Sequence, residues 1–366
     1  MRVILKRHRP LLSMGETVVT YHKGSLMQVN LVTLEKRKIC TLPMKRIYRT
    51  LAFSRVFERL LRTEVKTAVA LSENDILISH RGSAYQINLS TGVMVKELQY
   101  RNGMSGPRRL TTLAGVSGFD DGVAFGEYTL NSQRKNPSAV FFRSKLSGTW
   151  KKMFEFEPGI VRHIHGLVPD AENGCVYILT GDFGKEAGIW KATNNFKEVI
   201  PILTGSQMYR SGGMIKTQHG FVYATDTALE QNYLYCLQTD NKGEWTLSEL
   251  TEMDGSCVSN AETKDKALFS STVEADESIR GWRSWINMKR GAGIKSQFAQ
   301  LLVVDKKTLQ TKAVASFKKD FLPYKLFQYG YVKLVDVPAM NLVLAYPIGV
   351  KKMDGKLIEF KYSELE

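Results

Sequence analysis

Seven times along this chain a short unit returns: an apolar strand, a polar loop, a second strand, a turn and a third strand. The first copy reads Val18–Val19–Thr20–Tyr21–His22–Lys23, then Gly24–Ser25–Leu26–Met27–Gln28–Val29–Asn30–Leu31. The second pairs Asp75–Ile76–Leu77–Ile78–Ser79 with Gly82–Ser83–Ala84–Tyr85–Gln86–Ile87–Asn88–Leu89. Later copies run over 122–144, 174–192, 220–238, 267–305 and 341–362. Strand–loop–strand units at intervals of roughly 40–60 residues are the pattern of a β-propeller, in which each blade is one four-stranded sheet. The reading is all-β: one propeller over 1–366 with seven blades, or six if one of the first two copies is only a partial sheet. Met1–Leu5 is expected to complete the last blade, since an unjoined end leaves an open strand edge.

One segment breaks the rhythm. Residues 43–66 place Ile47, Leu51, Phe53, Val56, Leu60 and Leu61 near helical spacing, with Lys45, Arg46, Arg49, Arg55, Arg59 and Arg62 between them. This predicts a basic amphipathic helix inserted between the first two blades. Its apolar stripe either packs on the propeller or attaches to an anionic membrane surface.

The charge of +15 favours polyanionic partners. The basic residues are spread over many blades without a nucleic-acid-binding signature, so no specific nucleic-acid binding is expected. No stretch is apolar enough to span a bilayer, and Met1–Arg9 lacks the apolar run of a signal peptide. Cys40, Cys175, Cys236 and Cys257 have neither CxxC spacing nor a disulfide-like pattern, which suits reduced thiols. A cytoplasmic protein is the expectation, membrane-peripheral if the 43–66 helix attaches.

Superposing the repeats exposes a second pattern. The second strand of four consecutive blades runs into a carboxylate: Gly126 into Glu127, Gly181 into Asp182, Thr225 into Asp226 and Val273 into Glu274. A single Asp at a strand end is an ordinary turn residue. Four at equivalent places would repel one another unless cations compensate. Compensation stands at the entries to the innermost strands: Arg108–Arg109, Arg162–His163–Ile164–His165 and Gln207–Met208–Tyr209–Arg210. On a strand His163 and His165 share a face. They are either hydrogen-bonded channel residues or a pair of metal ligands, so a divalent metal stays open there and no other cofactor is expected. The glycine before Asp182 is read as a backbone turn.

Arg, His, Asp and Glu in one concavity suit an acidic glycan. Glu127, Asp182, Asp226, Glu274, His163, His165 and Tyr209 are the catalytic candidates. Arg109, Arg162, Gln207, Arg210 and Asn232 are the substrate-binding ones. A glycoside hydrolase would use two of the carboxylates. A polysaccharide lyase would use His163, His165 or Tyr209 to remove the proton beside a uronic carboxylate. The competing class is a non-catalytic propeller that binds glycan or protein.

Ser144–Lys145–Leu146–Ser147–Gly148–Thr149–Trp150 resembles a worn Asp-box, the S-x-D-x-G-x-T-W turn of sialidase-type and BNR-repeat propellers, without the Asp and one residue short. Ala192–Phe196 stands at the same turn of the next blade. The stretch 122–232 (FGEY, RHIHG, TGD, EAGIW, GSQMYR, TDT, EQN) resembles bacterial sialidase-like propeller proteins, some associated with exopolysaccharide or capsule clusters. The resemblance implies the propeller fold and a place in surface-polysaccharide metabolism. By analogy with true sialidases it suggests Arg109, Arg162 and Arg210 as an anion-binding triad, with Tyr128 or Tyr209 as the tyrosine.

Overall fold

A computed structural model describes residues 1–104, 106–240, 242–276 and 278–366. The strands form seven four-stranded antiparallel sheets, the blades of a seven-bladed β-propeller. In chain order the blades cover 9–41, 67–99, 111–156, 163–204, 211–253, 257–318 and 331–361. Arg2–Lys6 is the outermost strand of the last of them, paired antiparallel with Lys356–Lys361. The first strand thus completes the last blade, as its sequence position suggests.

The chain divides into two compact units, 1–64 with 215–366, and 65–214. In the second unit the alternation of side chains along the strand Gly122–Gly126 shows how blades pack. Val123 and Phe125 point into one apolar cluster with Leu77, Ala84 and Tyr100 of the second blade. Ala124 points the other way, among Ile164, Leu167, Val176 and Ile178 of the fourth. Both faces are buried, so the strand reads as a continuous apolar run rather than an alternating one. The Ser144–Trp150 turn lies between the third and fourth strands of its blade, with the Trp150 ring 5.3 Å from Phe125.

In the first unit the clusters repeat this logic. Val18 and Val29 of the first blade meet Val337, Leu344, Tyr346 and Ile348 of the seventh. Leu268, Leu301 and Val303 of the sixth meet Val332, Val343 and Ile358 of the seventh.

The 43–66 segment differs from the single helix that periodicity suggests. It forms two short helices, α1 (Arg46–Leu51) and α2 (Arg55–Leu61), broken at Ala52–Ser54. Their orientation is the reverse of an apolar stripe packed inward. Glu58 and Arg59 are the buried residues of α2, whereas Ile47, Phe53, Val56 and Phe57 are exposed. The cause is a set of distant ion pairs. Glu58 accepts from Arg7 at 2.5 Å, Arg55 reaches Asp354 at 2.8 Å, and Arg59 reaches Asp320 at 2.5 Å and the Phe327 carbonyl at 2.7 Å. Buried charges persist only when paired, and these partners hold the polar side of α2 inward. No described helix is long and apolar enough to cross a membrane.

Candidate metal centre

The strand His163–Asp170 is the innermost of the fourth blade, and the neighbouring strand Cys175–Gly181 delivers Asp182 at its exit. His163 and His165 turn to the same side of their strand, although its pairing with the neighbouring strand shifts register by one residue at His165. Both are buried and both reach the same carboxylate oxygen. His163 Nε2 and His165 Nε2 are each 3.1 Å from Asp182 Oδ1 and 3.2 Å from one another.

Glycines make the approach. A Cβ at Gly126 would stand 2.2 Å from Ile164 Cγ2, so the third blade presses directly against the residue between the two histidines. Gly181 has no positive φ. It is a matter of closeness rather than of a turn, since a Cβ there would press on Arg210 Cγ at 3.3 Å and touch His165 Cε1 at 3.5 Å.

The outer ring nitrogens settle the tautomers. His163 Nδ1 is 3.1 Å from the Thr129 carbonyl oxygen, and His165 Nδ1 is 3.3 Å from that of Ser211. A carbonyl only accepts, so each Nδ1 carries the hydrogen, and a ring without a second proton presents a lone pair at Nε2. Burial, followed by Asp182, which opposes it, and then Arg108 and His163, brings the His165 pKa down to about 4, leaving the ring neutral near pH 7. For Asp182, burial disfavours the charge. A proton on either Nε2 would outweigh burial and hold the carboxyl well below the usual carboxylate range.

Three electron-pair donors therefore converge on one point. A proton on either Nε2 satisfies one contact with Asp182 but leaves the nitrogen–nitrogen approach, whereas one cation satisfies all three. Ligands about 2.0–2.2 Å from a metal lie about 2.8–3.6 Å apart at octahedral or tetrahedral angles, and the observed 3.1–3.2 Å falls in that range. His163, His165 and Asp182 form the one group of three potential metal ligands among the described residues. Two imidazoles and a carboxylate suit a first-row divalent ion.

A second layer holds the carboxylate. Arg162 Nη1 donates to Asp182 Oδ2 at 2.8 Å, and Arg210 Nη2 lies 3.4 Å from Oδ1. The Asp182 backbone carbonyl accepts from Gln207 Nε2 at 2.7 Å and Arg210 Nη1 at 3.2 Å. Glu186 braces the loop, accepting from the Arg162 backbone N–H at 2.8 Å and from the Phe183 N–H at 3.1 Å, and pairing with Arg134. The Tyr128 ring lies over His163 at 4.1 Å between centroids, with Arg108 on Tyr128 at 5.6 Å.

The other sequence candidates have the following surroundings. Glu127 accepts from Arg101 Nε at 3.0 Å and from the Ala139 N–H at 3.0 Å. Tyr209 and Gln207 share the 3₁₀ turn just before the strand that begins at Ser211, and Arg109 lies just before the strand Thr111–Leu113. Asp226, Glu274 and Asn232 belong to the other unit. Asp226 is buried. Glu274 Oε1 accepts from Ser256 and Thr272 hydroxyls, each at 2.7 Å. Asn232 is fully buried, and its amide is used internally. Oδ1 accepts from Thr225 Oγ1 and the Thr227 N–H, while Nδ2 donates to the carbonyls of Thr227, Glu230 and Gly293. Sequence reasoning missed the carbonyls of Thr129 and Ser211 and the bracing Glu186. Only Glu186 left a trace, as an acid two residues before the strand Gly188–Thr193.

No protein-family model and no curated protein matches this sequence. Among solved structures, the chain is similar to oligogalacturonate lyase from Vibrio parahaemolyticus, with TM-score 0.60 and 9% identity over 98% of this chain and 90% of that one. An oligogalacturonate lyase in complex with manganese gives TM-score 0.60 and 9% identity, covering 100% and 91%. The β-propeller domain of Cps50 (Swd1) from Myceliophteria thermophila gives 0.54 and 9%, covering 98% of each chain. At such identity the likeness is one of fold.

Proposed function

We propose that the protein is a metal-assisted lyase that cleaves uronate-containing oligosaccharides by β-elimination. The observation that carries this reading is the convergence of His163 Nε2, His165 Nε2 and Asp182 Oδ1 beside two arginines. The fold likeness to oligogalacturonate lyases, one of them in complex with manganese, supports it. A divalent cation held by these three side chains would neutralise the substrate carboxylate and stabilise the charge that develops when the adjacent carbon loses its proton.

The chain's own residues supply the rest. Arg162, whose side chain is 21% exposed, pairs with Asp182 Oδ2 and offers cationic edge to an incoming carboxylate. Arg210 and Gln207 fix the backbone from which Asp182 projects. With both histidines committed as ligands, Tyr209 is the proton acceptor this reading keeps, on the same turn as Gln207. The Tyr209 phenolate would take the C5 proton, the carbon–hydrogen electron pair becomes the C4–C5 double bond, the bond from C4 to the glycosidic oxygen breaks, and that oxygen leaves with a proton from solvent.

Hydrolysis fits less well. It asks for two carboxyl groups at one bond, yet both Asp182 oxygens face cations or imidazoles and both Glu127 oxygens are occupied.

The test is to supply protein and Mn²⁺ with oligogalacturonate and other uronate oligosaccharides and follow the ultraviolet absorbance of the unsaturated product. Product is expected, and Tyr209→Phe should lower its rate at least about a hundredfold, the lower scale of acid–base catalysis. Binding of these sugars with no product across the panel would replace the lyase by a glycan-binding propeller.

A further inference from the structure

The first unit carries an exposed apolar and aromatic surface with a basic surround, which belongs to neither the metal centre nor the packing of the blades. Three segments build it: α1 and α2, the connection 278–290 between the second and third strands of the sixth blade, and the stretch 319–330 between the sixth and seventh blades. In antiparallel blades, the connections that follow the second and the fourth strands lie at the same end, so the three emerge on one side of this unit. They are also tied to each other. Helix α3 spans Tyr324–Phe327. Arg62 Nη2 donates to the Lys325 carbonyl at 2.9 Å, and Arg59 to that of Phe327 at 2.7 Å. Lys325 Nζ donates to Ser284 Oγ at 2.9 Å and stands 4.8 Å from the Trp285 ring centroid.

What these segments present is unusual for a water-facing surface. Trp282 and Phe321 are 70% and 76% exposed, and Phe53, Val56, Trp285 and Ile286 on the same three segments are exposed too. Helix α2 turns its charged residues inward and its apolar ones out, the opposite of what water favours. The exposed charges are all of one sign. Lys45, Arg46, Arg49 and Arg62 stand on the helical segment, Arg280, Arg283, Lys289 and Arg290 on the tryptophan connection, and Lys325 on α3. Among the described residues of 45–62, 278–290 and 321–327, no carboxylate is exposed.

We infer that this side of the unit docks on an anionic lipid bilayer surface. Tryptophan and phenylalanine enter the boundary between headgroups and acyl chains, where an amphipathic ring has one apolar and one wet side. The flanking Lys and Arg meet the negative headgroups. Charge complementarity and shape together favour a bilayer. The apolar groups stand on short helices and loop tips rather than lining a groove, and a sheet of anionic headgroups matches cations spread over three segments.

The test is flotation of the full chain with vesicles of phosphatidylcholine and phosphatidylglycerol against vesicles of phosphatidylcholine alone. Binding to the anionic vesicles only, with a blue shift of tryptophan emission, is expected. Trp282→Ser with Trp285→Ser should weaken it at least about tenfold, the scale of losing two interfacial anchors. Arg46→Glu with Arg283→Glu, which leaves the apolar groups in place, should weaken it comparably and reduce its salt dependence. Circular dichroism checks that each variant is folded. Absence of flotation with anionic vesicles, or flotation unchanged in both folded variants, overturns the proposal. A concentration-dependent dimer that dissociates in the tryptophan variant without vesicle binding also overturns it, and assigns the surface to a second copy of the chain.

Discussion

His163 Nε2 and His165 Nε2 face each other at 3.2 Å, while the Nδ1 of each is turned away onto a backbone carbonyl. Two lone pairs at that distance, with an ionised carboxylate oxygen 3.1 Å from both, make an arrangement that favours a cation.

Titration of Mn²⁺ or Zn²⁺ into the protein should therefore give one site per chain. His163→Ala and His165→Ala should each abolish it, and Arg162→Met should weaken it about 10–100-fold, the usual cost of losing an outer partner of a ligand. Equal uptake by wild type and the histidine variants would remove the metal centre.

Gly126→Ala tests the packing that places the histidines. The added methyl group would stand 2.2 Å from Ile164 Cγ2, between His163 and His165 in sequence. Overpacking costs about 1–3 kcal/mol, so denaturant unfolding should shift by that amount and metal affinity should fall with it. Unchanged affinity in the variant would show that the strand can shift without disturbing the ligands.

Arg59→Met should destabilise by about 1–3 kcal/mol, because it removes one of the two cations on Asp320, leaving Lys319, and takes the donor from the Phe327 carbonyl. Ile47→Ser, on the exposed side of α1, should change stability by no more than about 0.5 kcal/mol. The opposite ranking in urea unfolding would mean that the apolar side, not the charged one, anchors the helices.

Acid should destabilise the fold through its buried histidines. Burial, then the nearby His22, Lys36 and Lys23, lowers the His8 pKa to about 3, and burial chiefly lowers His165 to about 4. Both are ordinary histidines near 6.5 when unfolded. Between these values the unfolded chain binds protons that the folded chain does not, so stability falls as pH drops from about 6.5 towards 4. The melting temperature of the metal-free protein should decline over that window, and His8→Gln should flatten part of the decline. A melting temperature constant from pH 7 to 4 would contradict the neutral, buried rings.

The order of the blades was legible in the chain itself. Strands buried on both faces, such as Gly122–Gly126 and Cys175–Gly181, are continuous apolar runs, and a run of that kind repeated with turn residues between copies has few folds open to it. The placement of Asp182 at a strand exit and Arg162 and Arg210 at strand entries was legible for the same reason, since equivalent positions in repeats occupy equivalent places. A period of two puts His163 and His165 on a shared side, although the register shift at His165 interrupts that period in the strand pairing.

Tertiary structure alone decided the rest. No local pattern says that the Nδ1 atoms meet the carbonyls of Thr129, 34 residues away, and Ser211, 46 residues away, and it is those carbonyls that aim both Nε2 lone pairs at Asp182. Periodicity marked 43–66 as helical but not which side is buried. That depended on Asp320 and Asp354, 261 and 299 residues from their arginines, which draw the charged side inward and leave Phe53 and Val56 in water. Apolar spacing predicts burial only when the buried face is held by the hydrophobic effect. Here ion pairs between distant parts of the chain set the orientation, and a sequence does not display which distant charges will meet.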